Sequence, residues 1–334
     1  MTSDLIPPGL AYLAQNIISH QNILGVSKES SALWARGLEL PRRAETVFFA
    51  GCGYQFSGQL ESMMSLLRGI DKSVIGADLP LRFTRLQQKM KMNLPGIYNS
   101  VFSRRSAEEA KPLESAVKVL RKLGVKPGYL AEEEPCCGAP LYQAGLQDEF
   151  ASNAQKAYAR LKSAGVKKII GVVPYCTHAL ARLFPRFIEG YDIEVKHFLD
   201  VLAAEIPALK LRYPREVKVT YHDPCQLVRF LKLVDEPRRV LKSIKNITLV
   251  ETEWTHGEWS TCCGGGGGFE AVFPELSQVL AVNRARELME TGAEIIVTHC
   301  PGCILQLKDG LRQLNIKGVE VLDLTEVVAA AMEP

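Results

Sequence analysis

The alternation of apolar and polar residues along the chain predicts a repeated order of strands and helices. Four short runs, rich in β-branched or aromatic residues, have the character of buried strands. These runs are residues 46–50, 168–173, 216–221 and 294–298. Residues 147–164 and about 275–290 have the apolar spacing of helices, and each stretch ends near a glycine, as helices commonly do.

The order of these elements predicts the fold class. A strand, a helix and a second strand recur in both halves of the chain, which is typical of a parallel α/β sheet. We therefore expect an α/β protein with two pseudo-symmetric half-domains, parallel sheets and cysteine loops at the C-terminal ends of strands. The expected boundaries are an N-terminal extension over 1–44, a first half-domain over 45–205 and a second half-domain over 206–334.

The first half carries a basic insertion, at about residues 79–125. Cys52 and Cys136 are much farther apart in the sequence than their counterparts Cys225 and Cys262, and this difference reveals the insertion. Its basic residues include Arg82, Arg85, Lys89, Lys91, Arg104 and Arg105. The insertion is either a solvated helical segment or a docking surface for an acidic partner protein.

Composition narrows the class of protein. The chain has 334 residues, of which 47% are apolar and 23% charged, as in ordinary globular proteins. The formal net charge of +3 gives no reason to expect a nucleic-acid partner. No apolar run approaches the roughly 18–20 residues that span a bilayer, and the N-terminus lacks the features of a signal peptide. We expect a cytoplasmic protein that meets a membrane only through a partner.

The nine cysteines fall into two groups that carry the candidate chemistry. The first cysteine group is Cys52, Cys136, Cys137 and Cys176, and the second is Cys225, Cys262, Cys263, Cys300 and Cys303. Each group contains an adjacent Cys-Cys pair followed by glycine. Neighbouring cysteines suit one tetrahedral ion poorly, whereas the several irons of an iron–sulfur cluster accept thiolates from different directions. The pattern favours metal clusters and redox chemistry over buried free thiols or two structural zinc sites.

The predicted fold explains how distant cysteines can meet. Cys52, Cys176, Cys225 and Cys300 each come shortly after a predicted strand. Ligands of parallel α/β sheets gather at the C-terminal ends of the strands. We therefore expect these cysteines to converge on one rim.

The second group has more thiolates than a regular cubane cluster, which needs four cysteines. Its five cysteines indicate either one residue that is not a ligand or an irregular cluster. Gly264, Gly265 and Gly266 begin a run of five glycines that could let the backbone approach a cluster and direct N–H groups at sulfur, or could be a flexible loop. His222 and His299 are candidates for hydrogen-bond or proton donors, and a structural role suits each equally.

The first group is one cysteine short. An ungapped match of Ile169-Ile170 to Ile295-Ile296 puts Pro174 opposite Cys300, and a one-residue gap instead puts Cys176 opposite Cys303. Either way the first group has one cysteine where the second has two. Four thiolates could hold a [4Fe–4S] cluster, an irregular cluster or zinc.

These motifs resemble the CCG, or cysteine-rich, domain family, whose pattern is Cys, then Cys-Cys-Gly, then Cys-x-x-Cys. Within that family the chain is similar to the B-type component of heterodisulfide reductase and to the CCG part of the D-type component. The resemblance implies a noncubane [4Fe–4S] cluster on the second cysteine group, at which a small-molecule or protein disulfide is cleaved or formed. It also implies a ferredoxin-like iron–sulfur subunit that supplies electrons, with a flavoprotein or membrane subunit in the same complex.

Two other functions stay open at this point. Related CCG proteins are electron-transfer or anchor subunits of quinone-linked dehydrogenases of the succinate, glycolate, lactate or glycerol-3-phosphate type. A structural metal-binding scaffold without a redox role is the third hypothesis, and the Cys-Cys pairs argue against it.

Overall fold

The computed structural model of the protein describes residues 6–61 and 111–332. The expected basic insertion therefore lies outside the described residues up to position 110, together with the six arginines and lysines named for it. The segment Lys111–Lys122, at the C-terminal side of that range, is an amphipathic helix with one buried face.

The first half alternates short strands with helices, and it begins with two helices that precede the sheet. Its helices and strands are α1 (Pro8–His20), α2 (Lys28–Ser31), β1 (Thr46–Phe49), α3 (Gly51–Gln55), α4 (Lys111–Lys122), α5 (Ala139–Gln143), α6 (Gln147–Ser163), β2 (Lys168–Gly171), α7 (Pro174–His178), α8 (Phe184–Phe187), β3 (Glu194–His197) and α9 (Phe198–Glu205). A π-helical turn, Ala179–Leu183, joins α7 to α8.

The second half repeats the plan. It contains β4 (Arg212–Tyr221), α10 (Glu236–Ser243), β5 (Lys245–Leu249), α11 (Phe269–Val272), α12 (Pro274–Met289), β6 (Ile295–Thr298), α13 (Pro301–Gln313), β7 (Glu320–Asp323) and α14 (Leu324–Ala331). A π-helical turn, Gln226–Leu231, follows β4. The four strands and two helices predicted from the apolar pattern lie where expected, with ends that differ by at most four residues.

Each half has a sheet in which every described strand pair is parallel. The first sheet has the order β1-β2-β3 and the second β5-β4-β6-β7. On the open side of β1, Gly128 forms a parallel bridge with Val47, in the place that β5 takes beside β4. The α/β fold class with two half-domains is therefore confirmed.

Strand register fixes how the two halves correspond. In the first sheet Lys168 pairs with Thr46 and Glu194, and in the second Ile295 pairs with Val219 and Glu320. Lys168 begins β2 and Ile295 begins β6, and their partners Glu194 and Glu320 begin β3 and β7, so Lys168 and Ile295 are equivalent. This equivalence selects the gapped alignment. The register then makes Cys176 equivalent to Cys303, Val173 to Cys300 and, through the pairs of Thr46 and Val219, Cys52 to Cys225. The cysteine that the first half lacks is the counterpart of Cys300.

The helices that follow β3 and β7 confirm this correspondence. His197 ends β3 and caps α9, while Asp323 ends β7 and caps α14. Each side chain accepts a hydrogen bond from the helical backbone, and the residue three positions on returns a bond to the cap, in a reciprocal capping box. The two caps occupy equivalent positions but differ in chemistry.

One connected apolar core includes residues of both halves, from Ala14 to Ala331. Helix α4 of the first half packs against α14 of the second, where the Thr325 hydroxyl donates to the Pro112 carbonyl at 2.9 Å. A smaller apolar cluster lies around α12 and α13. The halves therefore share their interior.

None of the helices in the described part of the chain combines the length and apolarity required to span a bilayer.

Candidate metal centres

The second cysteine group gathers at the C-terminal ends of β4 and β6. Cys300 caps α13 and Cys303 lies in its first turn, while Cys225 directly precedes the π-helical turn after β4. The sulfurs contact one another in the order Cys225, Cys262, Cys263, Cys303 and Cys300, and those of Cys263 and Cys303 are 3.2 Å apart. All five are free thiols. Residues distant in sequence thus present five sulfurs to one point.

The first cysteine group repeats this arrangement with four sulfurs. The contacts run in the order Cys52, Cys136, Cys137 and Cys176, and the last two sulfurs are 3.2 Å apart. These four cysteines are also free thiols. Val173 stands where the second group has Cys300.

Both Cys-Cys-Gly loops direct a backbone N–H at sulfur. The Gly138 amide donates to the Cys136 sulfur at 3.5 Å, and the Gly264 amide donates to the Cys262 sulfur at 3.3 Å. An N–H donor lowers the negative charge that a thiolate shares with a bound metal. The glycine after each cysteine pair is therefore part of the site.

Glycine is required at these two positions for conformation and for space. Gly138 has a φ of 68° and Gly264 a φ of 83°, in the left-handed region that other residues rarely adopt. A Cβ on Gly138 would lie 2.5 Å from the Asn153 side chain, and one on Gly264 would lie 2.4 Å from the Ser277 carbonyl oxygen.

The rest of the glycine run has other contacts. A Cβ on Gly265 would lie 2.7 Å from Gln306, so this glycine also allows close packing. The Gly266 amide donates to Glu270 at 2.9 Å rather than to sulfur. Among the three glycines proposed from the sequence, Gly264 has the contact to a cysteine.

Several cysteines in both groups have a raised pKa, so the protein alone does not hold all of them as thiolates. Hydrogen bonding with Cys137, together with burial, raises the pKa of Cys136 to about 12. A hydrogen bond with Cys137 lowers the pKa of Cys176, but burial and the neighbouring cysteines together outweigh it and raise this pKa to about 11. In the second group, hydrogen bonding with Cys262 raises the pKa of Cys263. A bound metal ion would lower these pKa values, because it stabilises the deprotonated form of each sulfur.

His222 lies directly beside the second cysteine group. One of its ring nitrogens and the sulfurs of Cys263 and Cys303 lie within 4.8 Å of one another. Arg284 donates to His222 Nδ1 at 3.1 Å, and Nε2 has no partner among the described residues. Burial, with the charge of Arg284, holds the pKa of His222 well below its ordinary value, so the ring is neutral.

His299 has a different environment, at the boundary between the halves. Its Nδ1 is 2.8 Å from Asp323 Oδ1, and both side chains are fully buried. Tyr54 of α3 donates a short hydrogen bond to the other oxygen of Asp323. Burial raises the pKa of Tyr54 well above its ordinary value, so the phenol keeps its proton. Through Asp323, Tyr54 on α3, the helix that carries Cys52, is linked to His299, the residue before Cys300.

Polar side chains that the sequence did not single out surround the first cysteine group. Buried Glu134 accepts hydrogen bonds from the amides of Ala50 and Gly51 and from Gln55, at 2.8–2.9 Å. Burial raises the pKa of Glu134 to about 7. Lys28, from the N-terminal extension, donates to the Glu134 carbonyl at 2.6 Å. The extension thus contributes to the site, and only the nearness of Glu134 to the cysteine pair could have indicated this.

Helix α3 lies between the two groups. A Cβ on Gly51 would lie 3.0 Å from the Cys176 sulfur of the first group, and one on Gly53 would lie 2.8 Å from Pro301, next to Cys300. One short helix therefore contacts both groups.

These features define a protein with two thiolate-rich centres at the strand ends of a duplicated α/β fold. The cysteine-rich CCG domain family matches residues 102–181 and 219–308, about half of the chain, and the protein belongs to this family.

Two similar proteins are components or enzymes of redox metabolism by name. The D-type component of the dihydromethanophenazine:CoB–CoM heterodisulfide reductase of Methanosarcina mazei is 36% identical over 224 residues, which are 65% of this chain and 54% of that protein. The EtfAB:quinone oxidoreductase of Syntrophomonas wolfei is 36% identical over 230 residues, 66% of this chain and 32% of that protein. The chain thus spans about half of the first relative and a third of the second.

One solved structure supports the fold. A hypothetical protein from Helicobacter pylori superposes with a TM-score of 0.51 at 14% identity, over 67% of this chain and 46% of that one. At this identity the likeness concerns the fold alone.

Proposed function

We propose that the chain is an iron–sulfur subunit of a heterodisulfide reductase-like complex that cleaves or forms a disulfide at the second cysteine group. The observation that carries the proposal is the convergence of five free cysteines on one point. This number exceeds the needs of a zinc ion or a regular cubane. The similarity to the D-type component of a heterodisulfide reductase supports the same class.

The residues of both groups fit iron–sulfur clusters. Cys225, Cys262, Cys263, Cys300 and Cys303 would hold a noncubane [4Fe–4S] cluster at the second centre. The four cysteines of the first group would hold a [4Fe–4S] cluster or zinc. When bound, the cluster at the second centre supplies one-electron transfer and an iron site for sulfur.

The protein's own residues have distinct tasks in this proposal. Reduction of a disulfide to two thiols consumes two electrons and two protons, so the site needs polar groups beside the metal. His299, held by Asp323 at Nδ1, directly precedes Cys300 in the sequence and is the polar side chain proposed for this side of the site. The Gly264 amide stabilises charge on the Cys262 sulfur. Tyr54 and the buried core keep bulk water away from this side of the centre.

The complex we propose is cytoplasmic and has at least two other kinds of subunit. A small ferredoxin-like iron–sulfur subunit supplies the electrons, and a flavoprotein or membrane subunit completes the chain of transfer. The proposed units of the present chain are an extension over 1–44 and half-domains over 45–205 and 206–334.

A second function is supported by a separate observation. The relative named EtfAB:quinone oxidoreductase is as similar to the chain as the reductase component, and the first centre has an incomplete cysteine set. The alternative is an electron-transfer or anchor subunit of a quinone-linked dehydrogenase. Its centres would cycle with quinone and would not react with thiols.

Anaerobic turnover with matched cysteine variants distinguishes these functions. We expect the purified complex to reduce a heterodisulfide or oxidise the corresponding thiols. Cys225→Ala should lower this rate by about 100-fold or more because it removes a proposed ligand, whereas Cys52→Ala should have a smaller effect. Iron and acid-labile sulfide are measured in each variant. Cycling with quinone and no reaction with any disulfide, persulfide or dithiol would favour the alternative, and zinc without iron would eliminate both.

A further inference from the structure

Arg284 is a buried cation on α12 that the sequence did not connect with either cysteine group. Its side chain is 1% exposed. It donates to Glu287 at 2.7 Å, to the hydroxyls of Thr255 and Thr261 at 3.1 and 3.2 Å, and to His222 Nδ1 at 3.1 Å. Arg284 therefore joins α12, the loop before the second cysteine pair, and the end of β4.

The contact with Arg284 fixes the tautomer of His222. A guanidinium group donates hydrogen bonds and does not accept them, so His222 Nδ1 must carry the lone pair. In the neutral ring the proton is then on Nε2. That nitrogen has no hydrogen-bond partner among the described residues, and a nitrogen of the ring forms a group with the Cys263 and Cys303 sulfurs in which all three atoms lie within 4.8 Å of one another.

This arrangement is the reverse of that expected for a metal ligand. A histidine that binds a metal through one nitrogen usually donates its other N–H to a carboxylate or carbonyl. Here Nδ1 accepts a hydrogen bond from Arg284, and Nε2 carries the proton. His299, whose Nδ1 faces Asp323 Oδ1, has a carboxylate where His222 has a guanidinium group. The two histidines next to the second centre thus have partners of opposite charge at Nδ1.

We propose that Arg284 is a positioning residue that holds His222 as an N–H donor to the Cys263 and Cys303 sulfurs and so raises the reduction potential of the second centre. The inference rests on the proposed iron–sulfur function of that centre. It assigns His222 to tuning and not to metal binding. N–H donors to cluster sulfurs stabilise the reduced, more negative state.

The test measures potential and magnetic coupling, not turnover. Iron and sulfide content are determined first for the complex with the natural chain and with the variants His222→Leu, His222→Gln, Arg284→Met and Arg284→Lys. The midpoint potential of the second centre is then followed by electron paramagnetic resonance. Proton and nitrogen couplings are recorded in H₂O and D₂O with ¹⁵N-labelled histidine. The matched control is Arg286→Met, which removes an exposed arginine of the same helix.

The natural protein should have an exchangeable proton coupled to the second centre and no iron–nitrogen bond. His222→Leu and Arg284→Met should shift the potential to more negative values, and His222→Leu should also lose the proton coupling. His222→Gln, which keeps an N–H donor, should retain a potential closer to that of the natural protein. Arg286→Met should leave the potential unchanged.

Three results would overturn the inference. They are strong nitrogen coupling from a histidine bound to iron, an unchanged potential in His222→Leu, and an equal shift in Arg286→Met. If Arg284→Met does not fold, Arg284→Lys takes its place in the test, because it keeps a buried cationic donor. A complex that lacks disulfide turnover but gives the expected couplings would refute the proposed reaction alone. In protein without iron, ¹⁵N nuclear magnetic resonance still reports whether His222 carries its proton on Nε2.

Discussion

The two halves share a backbone plan but differ in the side chains that face the cysteines. The strand register makes Val173 the counterpart of Cys300, Val172 the counterpart of His299 and Phe49 the counterpart of His222. A thiol and two imidazoles in the second half thus correspond to apolar residues in the first. The duplicated fold supplies the place for a metal, and a few substitutions decide whether that place can also supply hydrogen bonds.

The first centre differs from the second by added polar side chains as well as by the missing thiol and imidazoles. Glu134, Gln55 and Lys28 surround it, and Glu134 occupies the position of Ser260 relative to the cysteine pair. These residues bond mainly to the backbone and to one another. The comparison shows a first centre with more bonds between its side chains and the backbone, and a second centre with one more thiol and two histidines beside it.

The most direct test of this difference between the two centres is to exchange the residues that distinguish the cysteine groups. Val173→Cys should give the first centre a fifth thiolate at the position of Cys300, and its spectrum and iron content should move toward those of the second centre. Cys300→Val should do the reverse at the second centre and lower turnover by about 100-fold. Electron paramagnetic resonance and metal analysis measure both changes.

The control for this exchange is Val172→Cys, which puts a thiol at the counterpart of His299. It should not add a ligand to the first centre. The two valine replacements remove little volume and should each cost less than about 1.5 kcal/mol in stability. If Val172→Cys and Val173→Cys change the first centre equally, the register is not what selects the ligand.

A second test addresses the bond that crosses between the halves. Tyr54→Phe removes the donor to Asp323 and leaves a buried carboxylate oxygen with one fewer partner. We expect the free energy of unfolding to fall by about 1–3 kcal/mol. Denaturant unfolding of the anaerobic protein measures the change. Tyr158→Phe is the matched control, because this hydroxyl bonds to Asp192 on the exposed surface, and it should change stability by less than about 0.5 kcal/mol.

The smallest expected effect concerns the two unlike helix caps. Burial, and then the neighbouring His299, hold the pKa of His197 well below its ordinary value, and its Nδ1 accepts from the Leu199 amide at 3.2 Å. A lowered pKa in the folded state means that this stabilisation is present above about pH 6.5 and is lost as the pH falls. His197→Asn keeps a capping oxygen but does not titrate.

Unfolding measured at pH 7.5 and pH 5.5 should therefore separate the two proteins. The natural chain should lose about 1 kcal/mol more than His197→Asn over this interval, because one pH unit below the unfolded pKa corresponds to about 1.4 kcal/mol. Identical losses would show that protonation of His197 does not contribute. Asp323, the equivalent cap of the second half, should be insensitive over the same range, since its pKa is lowered by His299 and Tyr54 despite its burial.

The sequence was sufficient for the parts of the fold with strong local patterns. Strands β1, β2 and β6 and the second half of β4 carry buried residues in unbroken or nearly unbroken runs, so their apolar pattern is clear. Strands β3, β5 and β7 mix exposed and partly buried residues with at most two buried ones over four or five positions, and the apolar pattern did not reveal them. Both Cys-Cys-Gly loops and the convergence of the cysteines followed from spacing.

Residue-level detail at the site depended on register and on distant partners. Matching Ile169-Ile170 to Ile295-Ile296 looked as good without a gap as with one, and only strand pairing selected the gap. Arg284 and His222 are 62 positions apart, and Tyr54 and Asp323 are 269 apart. No local pattern connects such pairs, because their proximity results from the packing of complete elements.

The packing of α4 against α14 has a consequence for the timing of assembly. The core of the first half is closed by a helix near residue 331, more than 200 positions after the α4 residues that it covers. Contacts of this separation form late, and domains emerge from the ribosome in order of sequence. The first half therefore lacks this packing partner until α14 has been synthesised, and the face of α4 that packs on α14 is uncovered during that interval. We expect the first half to complete its folding only together with the second, in contrast to a protein made of two independent domains.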